Sequence, residues 1–132
     1  MSPYSPFIPL KLLACLLLTA IAIQPVLAGQ YFVGHPSALE LHSQLGELVA
    51  WLALAQAGLA GICRWSGRLR RAPTLVFVGI FGLAGLQVHA GHNGYLALHI
   101  PLGSFILAIS TLTTIWLLRQ REPDNRRNLS NI

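Results

Sequence analysis

Four apolar runs dominate this chain, at about 10–28, 42–62, 74–90 and 96–118. Each approaches the roughly 20 residues that an α-helix needs to cross about 30 Å of hydrocarbon. With no water in the bilayer core, a backbone that enters it must satisfy its own hydrogen bonds. That leaves a helix as the conformation for each run. The expected fold is therefore all-α: an integral membrane four-helix bundle in a domain over 1–121, with a polar tail over 122–132. The connections are short, so an up-down-up-down arrangement follows. The chain is 54% hydrophobic and 10% charged, well below the roughly 25% charged content of soluble domains. This excludes a disordered chain and argues against a water-soluble core.

The net charge of +5 and a pI near 10.0 invite a nucleic-acid reading, but the positions of the charges oppose it. Lys11 opens the first run. Arg64, Arg68, Arg70 and Arg71 share one connection, and Arg119, Arg121, Arg126 and Arg127 share the C-terminal end. Basic residues confined to alternate ends of the spans are the mark of membrane orientation. They predict cytoplasmic N- and C-termini and a chain in the cell inner (cytoplasmic) membrane, with the lipid bilayer as first partner and no nucleic acid. A second reading of the first run stays open. Lys11, the apolar stretch 12–23 and Val26-Leu27-Ala28 also fit a signal peptide cut after Ala28. Cys15 and Cys63 form no disulfide framework and are read as small apolar residues.

The two halves repeat weakly. The first contains Gln24-Pro-Val-Leu-Ala-Gly29 and then His42-Ser-Gln-Leu-Gly46. The second contains Gln87-Val-His-Ala-Gly91 and then His99-Ile-Pro-Leu-Gly103. Each half has a glutamine near a helix exit and a His-x-x-x-Gly opening the next helix, which predicts two helical hairpins related by a pseudo-two-fold axis. The glutamine-to-histidine spacing is 18 residues in one half and 12 in the other.

All five histidines, His35, His42, His89, His92 and His99, fall at the expected outer end. His42 and His99 open helices two and four at similar depth. On helix two a stripe of small residues follows His42 through Gly46, Ala50, Ala53, Ala57 and Gly61. On helix four Gly103, Ser110 and Thr114 follow His99. On helix three Gly82 and Gly85 precede His89 and His92 on a shared face. Small stripes let helices pack closely in lipid. Headed by histidines, they also leave room for a flat macrocycle held by two imidazoles. This predicts a b-type haem with iron ligated by His42 and His99, and with Gly46 and Gly103 clearing space for the porphyrin edge. Supporting roles fall to Gln24 and Gln87, as donors to a propionate, a quinone carbonyl or each other. Glu47 is an intramembrane carboxylate that bonds a histidine or passes protons. His89 and His92 would line the site or bond a propionate. Trp51 lies too deep for an aromatic belt, whereas Tyr31, Trp65, Tyr95 and Trp116 suit one.

Glu40-Leu-His42, Gln87 and Leu96-Ala-Leu-His99-Ile-Pro-Leu-Gly103 resemble one four-helix half of the haem A synthase family. Together with the Gln-x-x-Leu-Ala-Gly and His-x-x-x-Gly segments they also resemble small bacterial four-helix membrane proteins. The resemblance implies haem ligation at His42 and His99. In the family a glutamate stands three residues before the histidine and an arginine follows it; here Glu40 stands two before His42, and Ser43 follows. The outer-loop cysteine pair is absent and one half is present, so the resemblance extends to haem binding and not to oxidation of a haem methyl group.

The resulting expectation is a multi-pass protein binding one haem near the outer face, for electron transfer or haem handling, with a quinone or a redox protein as partner. One haem at that depth does not carry electrons across the bilayer alone, so full transfer calls for a second haem, a homo-oligomer or a reductase. Two alternatives stand beside it: a zinc or copper site built from His35, His89, His92 and Glu40, and a cofactor-free structural or accessory subunit. No residue set marks a catalytic centre.

Overall fold

The structure, a computed structural model, describes residues 7–120. It contains four α-helices: α1 (Phe7–Phe32), α2 (Ser37–Trp65), α3 (Arg71–His92) and α4 (Leu96–Arg119). All four are long and apolar enough to cross a membrane. The shortest, α3, has 22 residues and spans roughly 33 Å at 1.5 Å per residue. The polar tail expected over 122–132 lies outside the described residues.

Three helix ends share one device. Gly34, Gly67 and Gly94 have φ of 98°, 71° and 71°, a left-handed conformation that side chains with a Cβ rarely adopt. At each, two backbone bonds close the last turn. His35 N–H donates to the Gln30 carbonyl at 3.1 Å and Gly34 N–H to Tyr31 at 3.1 Å. Arg68 donates to Cys63 at 2.9 Å and Gly67 to Arg64 at 3.0 Å. Tyr95 donates to Ala90 at 2.9 Å and Gly94 to Gly91 at 3.1 Å. These are Schellman motifs, which satisfy terminal carbonyls that would otherwise be left unpaired. They allow very short connections.

The first connection is shorter than the apolar runs predict. The sequence reading leaves 29–41 between spans, but α1 continues to Phe32 and α2 begins at Ser37. Hydropathy marks where lipid begins, whereas helix ends are set by Gly34 and by Pro36. Pro36 already has helical angles, φ −63° and ψ −31°, and its missing N–H costs nothing at a helix start. Glu40 in the first turn of α2 suits the positive end of the helix dipole.

Each helix packs on its neighbours in sequence, and α1 closes the ring against α4. The diagonal pairs α1/α3 and α2/α4 do not touch through their backbones. This is an up-down-up-down bundle. The described basic residues Lys11, Arg64, Arg68, Arg70, Arg71 and Arg119 gather at one end, where the Lys11 ammonium donates to the Gln120 carbonyl at 2.8 Å. The five histidines gather at the other. An approach of helices two and four through Gly46 and Gly103 is not what the fold makes. Those glycines instead receive side chains from α1 and α3, so they tighten neighbouring contacts and leave the diagonal open.

The helices are apolar on every side, so small or well-fitting residues decide which face turns inward. Leu10, Ala14, Leu17 and Ile21 of α1 recur at steps of three and four. Ala53, Ala57, Ala60 and Cys63 do so on α2, and Phe77, Ile80 and Ala84 on α3. Two clusters fill the bundle. At the basic end Leu10, Ala14, Phe77 and Leu117 pack under Leu69 of the α2–α3 connection. At mid-height Leu17, Ile21, Val49, Ala53, Ile80 and Ile106 meet. Because α1 supplies Leu10, Leu17 and Ile21 to these clusters, removal of residues 1–28 would strip both. Above the second cluster, toward the histidines, the interior opens into a cavity.

Candidate functional site: a two-histidine cavity at one end of the bundle

The cavity measures about 730 Å³ and all four helices line it, within the 300–1,000 Å³ range of cofactor and ligand sites. Ile21, Val49, Ala84 and Ile106 form its floor, and His42 and His99 face each other within it. Their ring centroids are 6.0 Å apart and their planes 60° apart. These two side chains bridge a diagonal that the backbones of α2 and α4 do not.

Each imidazole is held by the preceding helix of its own hairpin. His42 Nδ1 lies 3.1 Å from the Gln24 carbonyl oxygen, and His99 Nδ1 lies 2.9 Å from the Gln87 carbonyl oxygen. A carbonyl only accepts, so each bond requires Nδ1–H. In the neutral ring Nε2 then keeps its lone pair, the arrangement in which metal-ligating histidines are found. A carbonyl has two lone pairs, so a helical carbonyl can take this bond beside its own helical one.

The glutamine side chains complete the repeat. A Cβ placed on Gly46 would stand 3.6 Å from Gln24 Nε2, and one on Gly103 would stand 2.8 Å from Gln87 Nε2. What covers both glycines is therefore a carboxamide from the adjacent helix. Gln24 Nε2 and Oε1 and Gln87 Oε1 are buried without a hydrogen-bond partner. The unequal sequence spacings, 18 and 12, thus produce one local unit twice: glutamine carbonyl on histidine, carboxamide on glycine. Of the six extra residues in the first half, three lengthen the end of α1, one lies in the connection and two lie in the start of α2.

The second half carries one further constraint. A Cβ on Gly91 would come within 2.9 Å of His99 Cε1 and 3.0 Å of its Nδ1, so the His99 ring rests directly on the α3 backbone. In the sequence Gly91 reads as a generic helix exit. Its signal was its place one turn after Gln87 and eight residues before His99. Gly29, its apparent counterpart in the repeat, has nothing within 4 Å.

The remaining candidates separate. His92 lines the cavity and reaches α2, with Nε2 at 3.4 Å from Ser43 Oγ and 3.7 Å from Glu47 Oε1. Glu47 thus approaches a histidine at an exposed seam between α2 and α3, at a distance too long for a hydrogen bond. His89 is exposed and meets Asn93 instead, whose side-chain amide donates to the His89 carbonyl at 2.8 Å. Gly82 and Gly85 share its outward face with nothing near them, so they clear no room inside the bundle. His35 sits in the α1–α2 connection. Among the described residues no three histidine, cysteine, aspartate or glutamate side chains come together as a metal site, and His35, His89, His92 and Glu40 do not converge. Cys63 is buried and Cys15 exposed. Trp51 is 68% exposed on the outside of α2, where lipid would cover it.

The fold and the cavity define a class, a four-helix membrane-spanning bundle with a paired-histidine pocket at one end. Beyond that class no protein-family model, curated protein or solved structure matches the chain.

Proposed function

We propose that the chain binds one b-type haem between His42 and His99 and serves in electron transfer or haem handling. The observation that carries this reading is the matched pair of imidazoles, each fixed through Nδ1–H to a glutamine carbonyl and each leaving Nε2 for a ligand. Two imidazoles on opposite sides of one metal, with bonds of about 2.0 Å, have ring centroids roughly 6.3 Å apart; the rings here stand at 6.0 Å. Donor type, tautomer and cavity size all fit the group.

When bound, the haem supplies a one-electron couple whose potential depends on its axial ligands. The chain's own residues do the rest. The Gln24 and Gln87 carbonyls hold the imidazoles in one tautomer and raise their basicity. The floor of Ile21, Val49, Ala84 and Ile106 keeps water from below. Ser43 and His92 offer hydrogen bonds at the exposed rim. The pattern of basic residues supports the histidine end as the outer one and the inner (cytoplasmic) membrane as the location.

An absorption spectrum of the detergent-purified protein tests this. The expected result is about one low-spin, six-coordinate haem per chain. His42→Ala or His99→Ala should make the iron high-spin or lose the haem, and His35→Ala should change little. Equal haem content in wild type and the double variant, at matched protein level, overturns the assignment. Haem-free wild type expressed with ample haem supply favours a cofactor-free subunit.

A further inference from the structure

Three buried polar atoms in the cavity lack partners: Nε2 and Oε1 of Gln24 and Oε1 of Gln87. Buried amides are almost always hydrogen-bonded, so each exception calls for a cause. These exceptions are paired. They belong to Gln24 and Gln87, which stand at equivalent positions of the two hairpins, line the same cavity and sit about one helical turn below the imidazoles, with their carboxamides tucked over Gly46 and Gly103. The imidazoles do not use them, because the bonds to His42 and His99 go to the backbone carbonyls.

The chemistry of a carboxamide narrows the ligand. It carries a donor and an acceptor on one rotatable plane. It can therefore accept from a hydroxyl or, turned over, donate to a carbonyl. A quinol offers two ring hydroxyls and the corresponding quinone two ring carbonyls. Two neutral carboxamides on opposite helices suit both forms, whereas an ionised carboxylate can only accept and so serves the quinol alone. The route of entry agrees. Pro25 of α1 and Ile100 and Ser104 of α4 line the cavity and are also exposed on the outside of the bundle. They lie within the apolar length of their helices, so the α1–α4 seam opens at a depth where lipid would be. The floor is apolar, as a ring and its tail require.

We propose that the lower part of this cavity is a binding site for a membrane-soluble quinol or quinone, whose ring oxygens are held by the Gln24 and Gln87 carboxamides. The site uses the same cavity as the haem reading but does not depend on imidazole–iron bonds.

Titration of the full-length protein in nanodiscs with a decyl-substituted 1,4-benzoquinone, in its oxidised and reduced forms, tests this. The same titration is run on the His42→Ala, His99→Ala double variant and with decylbenzene, which has the tail but no ring oxygens. Saturable binding of both redox forms is expected to wild type and to the double-histidine variant. Gln24→Leu and Gln87→Leu should each weaken it about tenfold or more. Decylbenzene should bind wild type and the leucine variants alike. The ligand-free leucine variants should melt at or above the wild-type temperature, because leucine removes an unpartnered polar group. That result separates lost recognition from lost folding. No binding to wild type, or unchanged binding in both leucine variants, overturns the proposal. So does binding lost only in the double-histidine variant. Haem loss in that variant with quinone binding intact would leave this site standing while confirming that the imidazoles serve a different ligand.

Discussion

Gly91→Ala probes the site at its tightest point. The added methyl carbon would stand 2.9 Å from His99 Cε1 and 3.0 Å from Nδ1, well inside the roughly 3.5–4.0 Å of a relaxed carbon contact. The imidazole must therefore retreat by about 0.5–1 Å. Its bond to the Gln87 carbonyl, now 2.9 Å, cannot survive such a shift with good geometry. Loss of that bond costs about 0.5–1.5 kcal/mol. The methyl also gives something back, since alanine is better than glycine in a helix by about 1 kcal/mol. Net stability should then change by less than about 1 kcal/mol, while the effect on the imidazole is large. Removing such a supporting bond lowers metal affinity about 10–100-fold. Gly29→Ala is the control: nothing lies within 4 Å of its Cβ, so it should gain stability and leave the site alone. The assay pairs thermal unfolding with haem titration, and nitrogen-15 NMR of the histidines gives a reading that needs no haem. Wild type should show the Nδ1–H form at both His42 and His99, and Gly91→Ala should release it at His99 alone. If Gly91→Ala binds haem like Gly29→Ala and keeps the His99 tautomer, the geometric argument fails.

Other expected outcomes follow from the same geometry. A Gly46→Cys, Gly103→Cys pair should not form a disulfide, because α2 and α4 make no backbone approach within 8 Å and a disulfide needs Cα atoms about 4.4–6.8 Å apart; efficient oxidation on a gel would refute the diagonal arrangement. Glu47→Gln should lower stability by less than about 1 kcal/mol, since the Glu47–His92 contact is 3.7 Å long and more than half exposed on both sides; a large loss in thermal unfolding would show a buried role. Reporter fusions within 66–70 and after Ile132 should both report cytoplasmic, and external activity at either point would reverse the orientation.

The spans were legible because hydropathy over about 20 residues is a strong signal. So was the gathering of the histidines, which follows from counting helix directions. Helix ends were less so: Gln30-Tyr31-Phe32 and Ser37 to Leu41 are too polar or too short a run to mark lipid, yet their backbones stay helical until Gly34 and Pro36 intervene. The inward face of each helix was the hardest to read. In an all-round apolar helix the pattern carries little directional information, so Gly82 and Gly85 looked interior and are not. Glutamine and histidine were visible as a repeat. That the backbone carbonyl of the glutamine, and not its amide, would hold the ring depends on how two helices are set against each other, which no spacing states.

The way the two imidazoles are mounted has a bearing on assembly. Each is tied to a carbonyl of its own hairpin, so α1–α2 and α3–α4 can prepare their halves of the pocket separately as they enter the bilayer. Any ligand that grips both rings then acts as a rivet across the α2–α4 diagonal, where the polypeptide supplies no backbone contact. Binding and the association of the hairpins are thermodynamically linked: a ligand at 100 times its dissociation constant adds about 2.7 kcal/mol to the joined state. The supply of such a ligand would thereby set how firmly the two hairpins stay together.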